Sequence, residues 1–212
     1  CVVGIGGVGS WAAEALALAG GRLFGLFNNG AYGQPGALED LPTEALKAQF
    51  NTNLFGWHHL IRQVLPAMLA AGEGRIVQNS SVLGLVAMKY RGAYNASKFA
   101  LEGYTDTLRL ELEGSGVHIS LIEPGPIDTR FRANARDAFV RHIDPAQSRH
   151  QGAYRQTLTR LEKEGSTSGF TLPSEACIPP LLHALQSKRP RHRYPVTLPT
   201  RLFSILRRLL PS

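Results

Sequence analysis

Arg75-Ile76-Val77-Gln78-Asn79-Ser80-Ser81, followed ten residues later by Gly92-Ala93-Tyr94-Asn95-Ala96-Ser97-Lys98, decides the fold. Arg75 to Gln78 reads as a short strand with a polar end. From Gly92 to about Glu113, Ala93, Ala96, Ala100 and Leu101 share one stripe at helical spacing. The same step recurs on both sides. Cys1 to Ile5 reads as a strand, Gly4 to Gly9 as a glycine-rich turn, and Ser10 to Gly20 as a helix with a Ser start and a Gly stop. Arg22 to Phe27 is a second apolar run, closed by the turn formers Asn28-Asn29-Gly30. Leu41-Pro42-Thr43-Glu44 opens a helical stretch to about Ala71, with Thr43 as cap and Pro42 preventing an earlier start. Val117 to Ile122 is a fourth strand, ending at Glu123-Pro124-Gly125-Pro126. Residues 126–172 are polar and irregular in pattern. Pro173 to Gln186 predicts a helix, Arg193 to Leu198 a fifth strand, and Arg201 to Leu210 a last amphipathic helix. There is no internal repeat.

Near-continuous apolar strands separated by helices argue for an α/β fold, a doubly wound parallel sheet covered on both faces. In such sheets ligands bind beyond the carboxyl ends of the strands. The glycine turn, Asn28-Asn29, Ser80-Ser81 and Pro124-Gly125 all fall there.

Composition narrows the class. The 212 residues, 43% hydrophobic and 18% charged, suit one domain with a core that folds unaided. The net charge of +7 is concentrated at one end. Residues 1–60 carry two cations and four anions, residues 61–180 fourteen and twelve, and residues 181–212 seven and none. A basic tail on a near-neutral body is not the basic stripe of a nucleic-acid binder, so no nucleic acid is expected. No apolar run reaches the eighteen or so residues of a membrane helix, and no Arg/Lys-led leader is visible. The two cysteines, Cys1 and Cys177, form no C-x-x-C pair, which favours a reducing, cytoplasmic setting over a disulfide framework or a cysteine-rich zinc site. The seven histidines show no metal-ligand spacing, so no metal is expected. The chain begins with Cys rather than Met, as a fragment would.

Tyr94 and Lys98 lie four apart in a predicted helix and therefore share a face. A cation beside the phenol favours the phenolate and lowers its pKa from about 10, and such a pair can serve as general acid or base on an alcohol or carbonyl. Solvated helix faces carry the same pair without function. Ser81, thirteen residues before Tyr94 at a strand end, can hold a carbonyl oxygen or simply form a turn. Asn53, mid-helix where Asn is unfavourable, is either an irregularity or a polar group required by a buried site.

Together, Asn28-Asn29, Asn53, Ser81, Tyr94-x-x-Ser97-Lys98 and Pro124-Gly125-x-x-x-Thr129 stand in the order and spacing of the classical short-chain dehydrogenase/reductase family, which the chain resembles from about Gly21 onward. Phe27-Asn28-Asn29-Gly30-Ala31 departs slightly from the family's Asn-Asn-Ala-Gly. The resemblance implies a Rossmann-like sheet and hydride transfer between NAD or NADP and a carbonyl/alcohol pair. Tyr94 would exchange the proton with the substrate oxygen, and Lys98 would lower the Tyr94 pKa and bind the nicotinamide ribose. Ser81 would orient the substrate, and Asn53 would hold a water in a relay to Lys98. Pro124, Gly125 and Thr129 would line the nicotinamide site, with Asn28, Asn29 and Gly30 beneath the cofactor. Resemblance to the steroid- and retinol-type branch points to a small hydrophobic carbonyl or alcohol substrate. Many members pair into homo-oligomers through the helix bearing the Tyr and Lys.

The N-terminus follows another pattern. Gly4-Ile5-Gly6-Gly7-Val8-Gly9 satisfies Gly-x-Gly-x-x-Gly, which makes Gly4, Gly6 and Gly9 candidate cofactor-phosphate contacts at a helix start. Residues 1–20 more closely resemble the first β/α unit of ubiquitin-activating-type adenylating enzymes, particularly bacterial tRNA threonylcarbamoyladenosine dehydratases. In the dehydrogenase family two further strands with their helices precede the strand that ends in Asn28-Asn29; here Gly20 meets Gly21 directly. The expectation is a sheet shortened to about five strands, with 1–20 a glycine-rich unit, 21–125 the catalytic core, 126–172 a substrate loop bearing Phe131, Phe139 and Tyr154, and 173–212 the C-terminal elements. The residue that selects NAD or NADP would lie in the missing part. The alternative function is a catalytically impaired truncated or chimeric remnant without a complete cofactor site; ATP-dependent adenylation ranks below it. In Arg201–Leu210, Leu202, Phe203, Ile205, Leu206, Leu209 and Leu210 oppose Arg201, Ser204 and Arg208. This face suits peripheral membrane contact, though packing on the domain or a partner copy is preferred.

Overall fold

The computed structural model describes residues 2–3, 20–162 and 169–209. Five parallel strands form the sheet, in the spatial order β1 (Val2–Val3), β2 (Gly25–Asn28), β3 (Gly74–Asn79), β4 (Val117–Glu123) and β7 (Arg193–Pro195). The register sets Leu26 beside Ile76 and Ile76 beside Ile119. The predicted turn Gly4–Gly9, with Gly4, Gly6 and Gly9, and most of the predicted helix Ser10–Gly20 lie outside the described residues.

Both faces of the sheet are covered. Between β2 and β3 run α1 (Thr43–Phe50), a π-helical turn (Asn51–Phe55) and α2 (Gly56–Ala71). Leu60, Ile61, Val64 and Met68 of α2 pack with Leu26, Ile76 and Ile119. Leu108, near the end of α3 (Gly92–Glu111), joins the same cluster. Each such burial stabilises by about 1.5–3 kcal/mol. Opposite, Ala184 of α6 (Ile178–Gln186) packs on Val77, Ile122 and Tyr194. Helix α2 stops at Gly72, whose φ of 65° is the left-handed conformation that closes a helix and favours glycine.

Four stretches differ from the sequence expectation. The helix expected from Thr43 to Ala71 contains the π turn. Residues 126–172, expected to be irregular, hold α4 (Phe131–His142) and α5 (Gln151–Glu162), and a small ribbon in which β5 (Ile127–Asp128) pairs with β6 (Leu172–Pro173). Their apolar signal is thin because α4 buries only Ala135, Ala138 and Phe139, and α5 only Tyr154 and Leu161. Phe139 and Tyr154 form a small cluster with Ala37 and Ile143 away from the sheet. The Tyr154 hydroxyl accepts from the Ala37 amide at 2.9 Å and donates to Asp40, tying this cover to the loop after β2. The segment from Pro173 begins as a 3-10 turn before α6. The fifth strand ends at Pro195 rather than Leu198, and Leu198 opens α7 (Leu198–Leu209).

Helix α7 is anchored through its first turn, where Thr200 is buried and Arg201 Nε donates to the Pro195 carbonyl at 3.4 Å. Leu198, Leu202, Ile205 and Leu209 are exposed, so this face is not packed on the domain. No helix among the described residues is long and apolar enough to cross a membrane.

Candidate active site

The polar strand ends converge. Asn29 follows β2, Ser80 and Ser81 follow β3, and Pro124 and Gly125 follow β4. With Asn79, Tyr94 and Thr129 they line a cavity of about 510 Å³, within the range of small-molecule sites. Its other walls come from the α4–α5 cover and α6 and are largely apolar, with Phe131, Leu161, Ile178 and Leu181 among them.

Tyr94 reaches the cavity from the first turn of α3. Its ring meets the edge of Phe131 at 5.3 Å between centroids, and Ser81 lines the same wall. Burial pushes the phenol up to about 12, against the opposing pull of Ser81 and of the Arg91 charge. Ser81 also caps the short turn after β3, its hydroxyl accepting from the Leu83 amide at 3.1 Å.

Lys98 lies one turn further along α3, 1% exposed and off the cavity wall. Its ammonium donates to the Asn79 carbonyl at 2.6 Å and sits 4.7 Å from the centre of the Trp57 ring and 5.7 Å from that of Tyr94. Burial pushes Lys98 down to about 7, although Glu102 pulls the other way. The ammonium is spent on a carbonyl and an indole face, and dehydration of the phenol outweighs neighbouring charge.

Asn53 sits in the π turn, fully buried. Its amide donates to the Tyr32 carbonyl at 3.0 Å and to Ser97 Oγ at 3.1 Å, and its Oδ1 accepts from the Tyr32 amide at 3.3 Å. Ser97 in turn donates to the Tyr94 carbonyl at 2.8 Å. The π turn thus turns a polar side chain inward against the Tyr94-bearing helix, joining the two readings of Asn53. Asn28 is buried off the cavity wall and donates to Gln78 Oε1 at 3.1 Å. The Gly30 carbonyl accepts from the Trp57 indole at 3.0 Å, and so helps hold the ring over which Lys98 rests. Thr129 lines the wall and accepts from the Phe131 amide at 3.3 Å.

Gly125 is required by close packing. A Cβ there would stand 2.1 Å from Thr197 Oγ1, so a side chain would push the strand end away from α7's first turn. Sequence reasoning missed several neighbours: Asn79 and Trp57, which hold Lys98, and a buried ion cluster behind it. In that cluster Arg193 pairs with Glu102, with Glu123 at 2.8 Å and with Asp106 at 2.6 Å, and Ser80 donates to Glu102. Glu102, one turn past Lys98 on the same face, was the available signal. No group of three or more His, Cys, Asp or Glu among the described residues could hold a metal.

Against known sequences, residues 8–139 match the short chain dehydrogenase family. The chain belongs to that family. The match begins at residue 8, so the dehydrogenase likeness reaches further toward the N-terminus than Gly21. Among curated relatives, the uncharacterized oxidoreductase YbbO of Escherichia coli strain K12 is 44% identical over 94% of this chain and 68% of its own length. Human retinol dehydrogenase 8 is 42% identical over 56% of this chain and 38% of its own. Among solved structures, a short chain dehydrogenase/reductase from Burkholderia phymatum in complex with NAD superposes with a TM-score of 0.76 at 29% identity, covering 93% of this chain and 69% of that one. As a short chain dehydrogenase, the chain is an oxidoreductase.

Proposed function

We propose that this protein transfers hydride between NAD or NADP and a carbonyl/alcohol pair on a hydrophobic substrate, with Tyr94 exchanging the proton. The observation that carries the reading is the placement of the Ser81 and Tyr94 side chains together on the wall of a largely apolar cavity, with Lys98 buried one turn behind.

The residues present fit the nicotinamide half of such a cofactor. Asn79 lines the cavity and keeps a buried Oδ1 without a hydrogen-bond partner among the described residues, an acceptor suited to a carboxamide or ribose donor. Asn29, Pro124, Gly125 and Thr129 would hold the ring and ribose, with Lys98 beneath. The phosphates would fall to Gly4, Gly6 and Gly9. When bound, the nicotinamide supplies or accepts the hydride. Tyr94, kept protonated by burial, donates its proton to the substrate oxygen in reduction, and Ser81 is the second donor to that oxygen as charge develops on it. Lys98, near neutrality, holds and passes on a proton through Nζ. Asn53 Oδ1 keeps one lone pair for a relay water, since the Tyr32 amide takes only the other.

The exposed apolar residues of α7, in a tail with seven cations and no anions, support peripheral contact with an anionic lipid surface. For the hydride reading, Tyr94→Phe removes the proton donor and keeps the ring. Turnover of a medium-chain aldehyde with NADPH or NADH is expected to fall at least 1000-fold in the variant, with cofactor binding within about twofold. Turnover close to that of the wild type would contradict the assignment.

A further inference from the structure

Three arginines, Arg91, Arg132 and Arg160, stand in the wall of the cavity, and no described residue of that wall is an Asp or Glu. They converge from three elements: Arg91 directly before α3, Arg132 from α4 and Arg160 from α5. Arg132 has a carboxylate partner, Asp128, at 3.4 Å. The Arg91 side chain makes no hydrogen bond or ion pair among the described residues, although it is mostly buried. Burial and the neighbouring Arg160 charge push its guanidinium down to about 10, so the site opposes the very charge it contains.

The backbone holds Arg91 there deliberately. The preceding Tyr90 adopts φ 61°, a left-handed conformation uncommon for a non-glycine residue, and its carbonyl accepts from the Gly36 amide at 3.0 Å. Gly36 also bridges to Arg91. The Tyr90 ring is fixed edge-on against Tyr154 and His150 of the cover. A desolvated guanidinium beside a second cation is costly without an anion, and an anion entering the cavity removes that cost.

We propose that the substrate is an amphiphile bearing an anionic group, carboxylate or phosphate, which binds against Arg91 and Arg160 while its alkyl part lies along Phe131, Leu161, Ile178 and Leu181. This narrows the hydrophobic carbonyl substrate to an oxo or hydroxy acid or a comparable phosphate ester. It rests on the hydride-transfer reading for which end of the molecule reacts; the anion site itself is independent of turnover. Arg132 and Arg160 belong to the cover and Arg91 borders it, whereas Asn29, Pro124 and Gly125, assigned to the nicotinamide, come from the strand ends.

The test is calorimetric titration of the whole chain with decanoate, decyl phosphate and decanol, and with NADH and NADPH, for wild type, Arg160→Gln and Arg91→Met. Arg160 is exposed on α5, so its variant is expected to fold whatever Arg91→Met does. Saturable binding of decanoate or decyl phosphate at least tenfold tighter than decanol, falling about tenfold in Arg160→Gln with NADH and NADPH affinity unchanged, supports the proposal; the tighter of the two anions names the substrate's charged group. Equal binding of all three decyl compounds, or parallel loss of dinucleotide binding in the variant, overturns it. In turnover, 9-oxodecanoate should exceed its methyl ester about tenfold in kcat/KM, and Arg160→Gln should erase that preference. Arginine-dependent anion binding with no turnover of either compound supports the anion site and refutes only the hydride-transfer reading.

Discussion

Tyr94 and Lys98 are both driven toward their neutral forms, the phenol up to about 12 and the amine down to about 7, because burial dominates both. The sign of the consequence for catalysis differs with direction. Between pH 6 and 9 the phenol stays protonated, so the form that donates a proton in carbonyl reduction is fully present. The phenolate required for alcohol oxidation grows about tenfold per pH unit below that pKa. Initial rates in both directions across this range should show oxidation rising several-fold per unit and reduction flat or falling as Lys98 loses its proton. An oxidation rate that is flat across the range would show that Tyr94 is not the group that titrates. Ser81, Tyr94 and Lys98 were legible in the sequence through their combined order and spacing with Asn53 and the strand-end motifs, which resemble one family; the helical turn between Tyr94 and Lys98 alone fits a solvated face equally well. Arg91 was not. A single arginine before a helix has no periodicity, and what distinguishes it, a cavity wall without an acid among the described residues, exists only after the cover has folded over it.

The elements on the sheet were legible to within a few residues, since each carries an apolar run or stripe long enough to fix its period. The cover was not, because α4 and α5 bury only five side chains between them and leave the rest polar. The π turn escaped as well: one extra residue per turn shifts the apolar stripe without breaking it, and only the inward-facing Asn53 marks the place. Helix α7 was legible as amphipathic, but its environment was not, since a stripe of leucines reads the same whether it meets a sheet or a lipid. Its exposed face gives an expectation of its own. Leu202→Asp with Ile205→Asp should cut co-sedimentation with phosphatidylserine-containing vesicles at least tenfold, because each leucine or isoleucine is worth about 1.5–3 kcal/mol when buried. Vesicle binding unchanged by the pair, or absent in the wild type, would remove lipid as the partner of this helix.

Across the whole molecule, one side chain joins the far edge of the sheet to the helix that carries Tyr94 and Lys98. Arg193 of β7 pairs with Glu123 of β4 and with Glu102 and Asp106 of α3, and Glu123 is fully buried. Removing Arg193 leaves the carboxylates of Glu102 and Glu123 buried without their cation, so Arg193→Met should destabilise the fold by about 3–5 kcal/mol in denaturant melts. A loss under 1 kcal/mol would mean the cluster is solvated in solution. The central claim concerns the cavity beside this framework. Titration of the purified chain with NADH and NADPH, followed by cofactor fluorescence with Lys98→Ala in parallel, tests it most directly. Saturable binding to at least one dinucleotide, weakened at least tenfold in the variant, is the predicted result; a cooperatively folded chain that binds neither would contradict the assignment of this cavity to a nicotinamide cofactor.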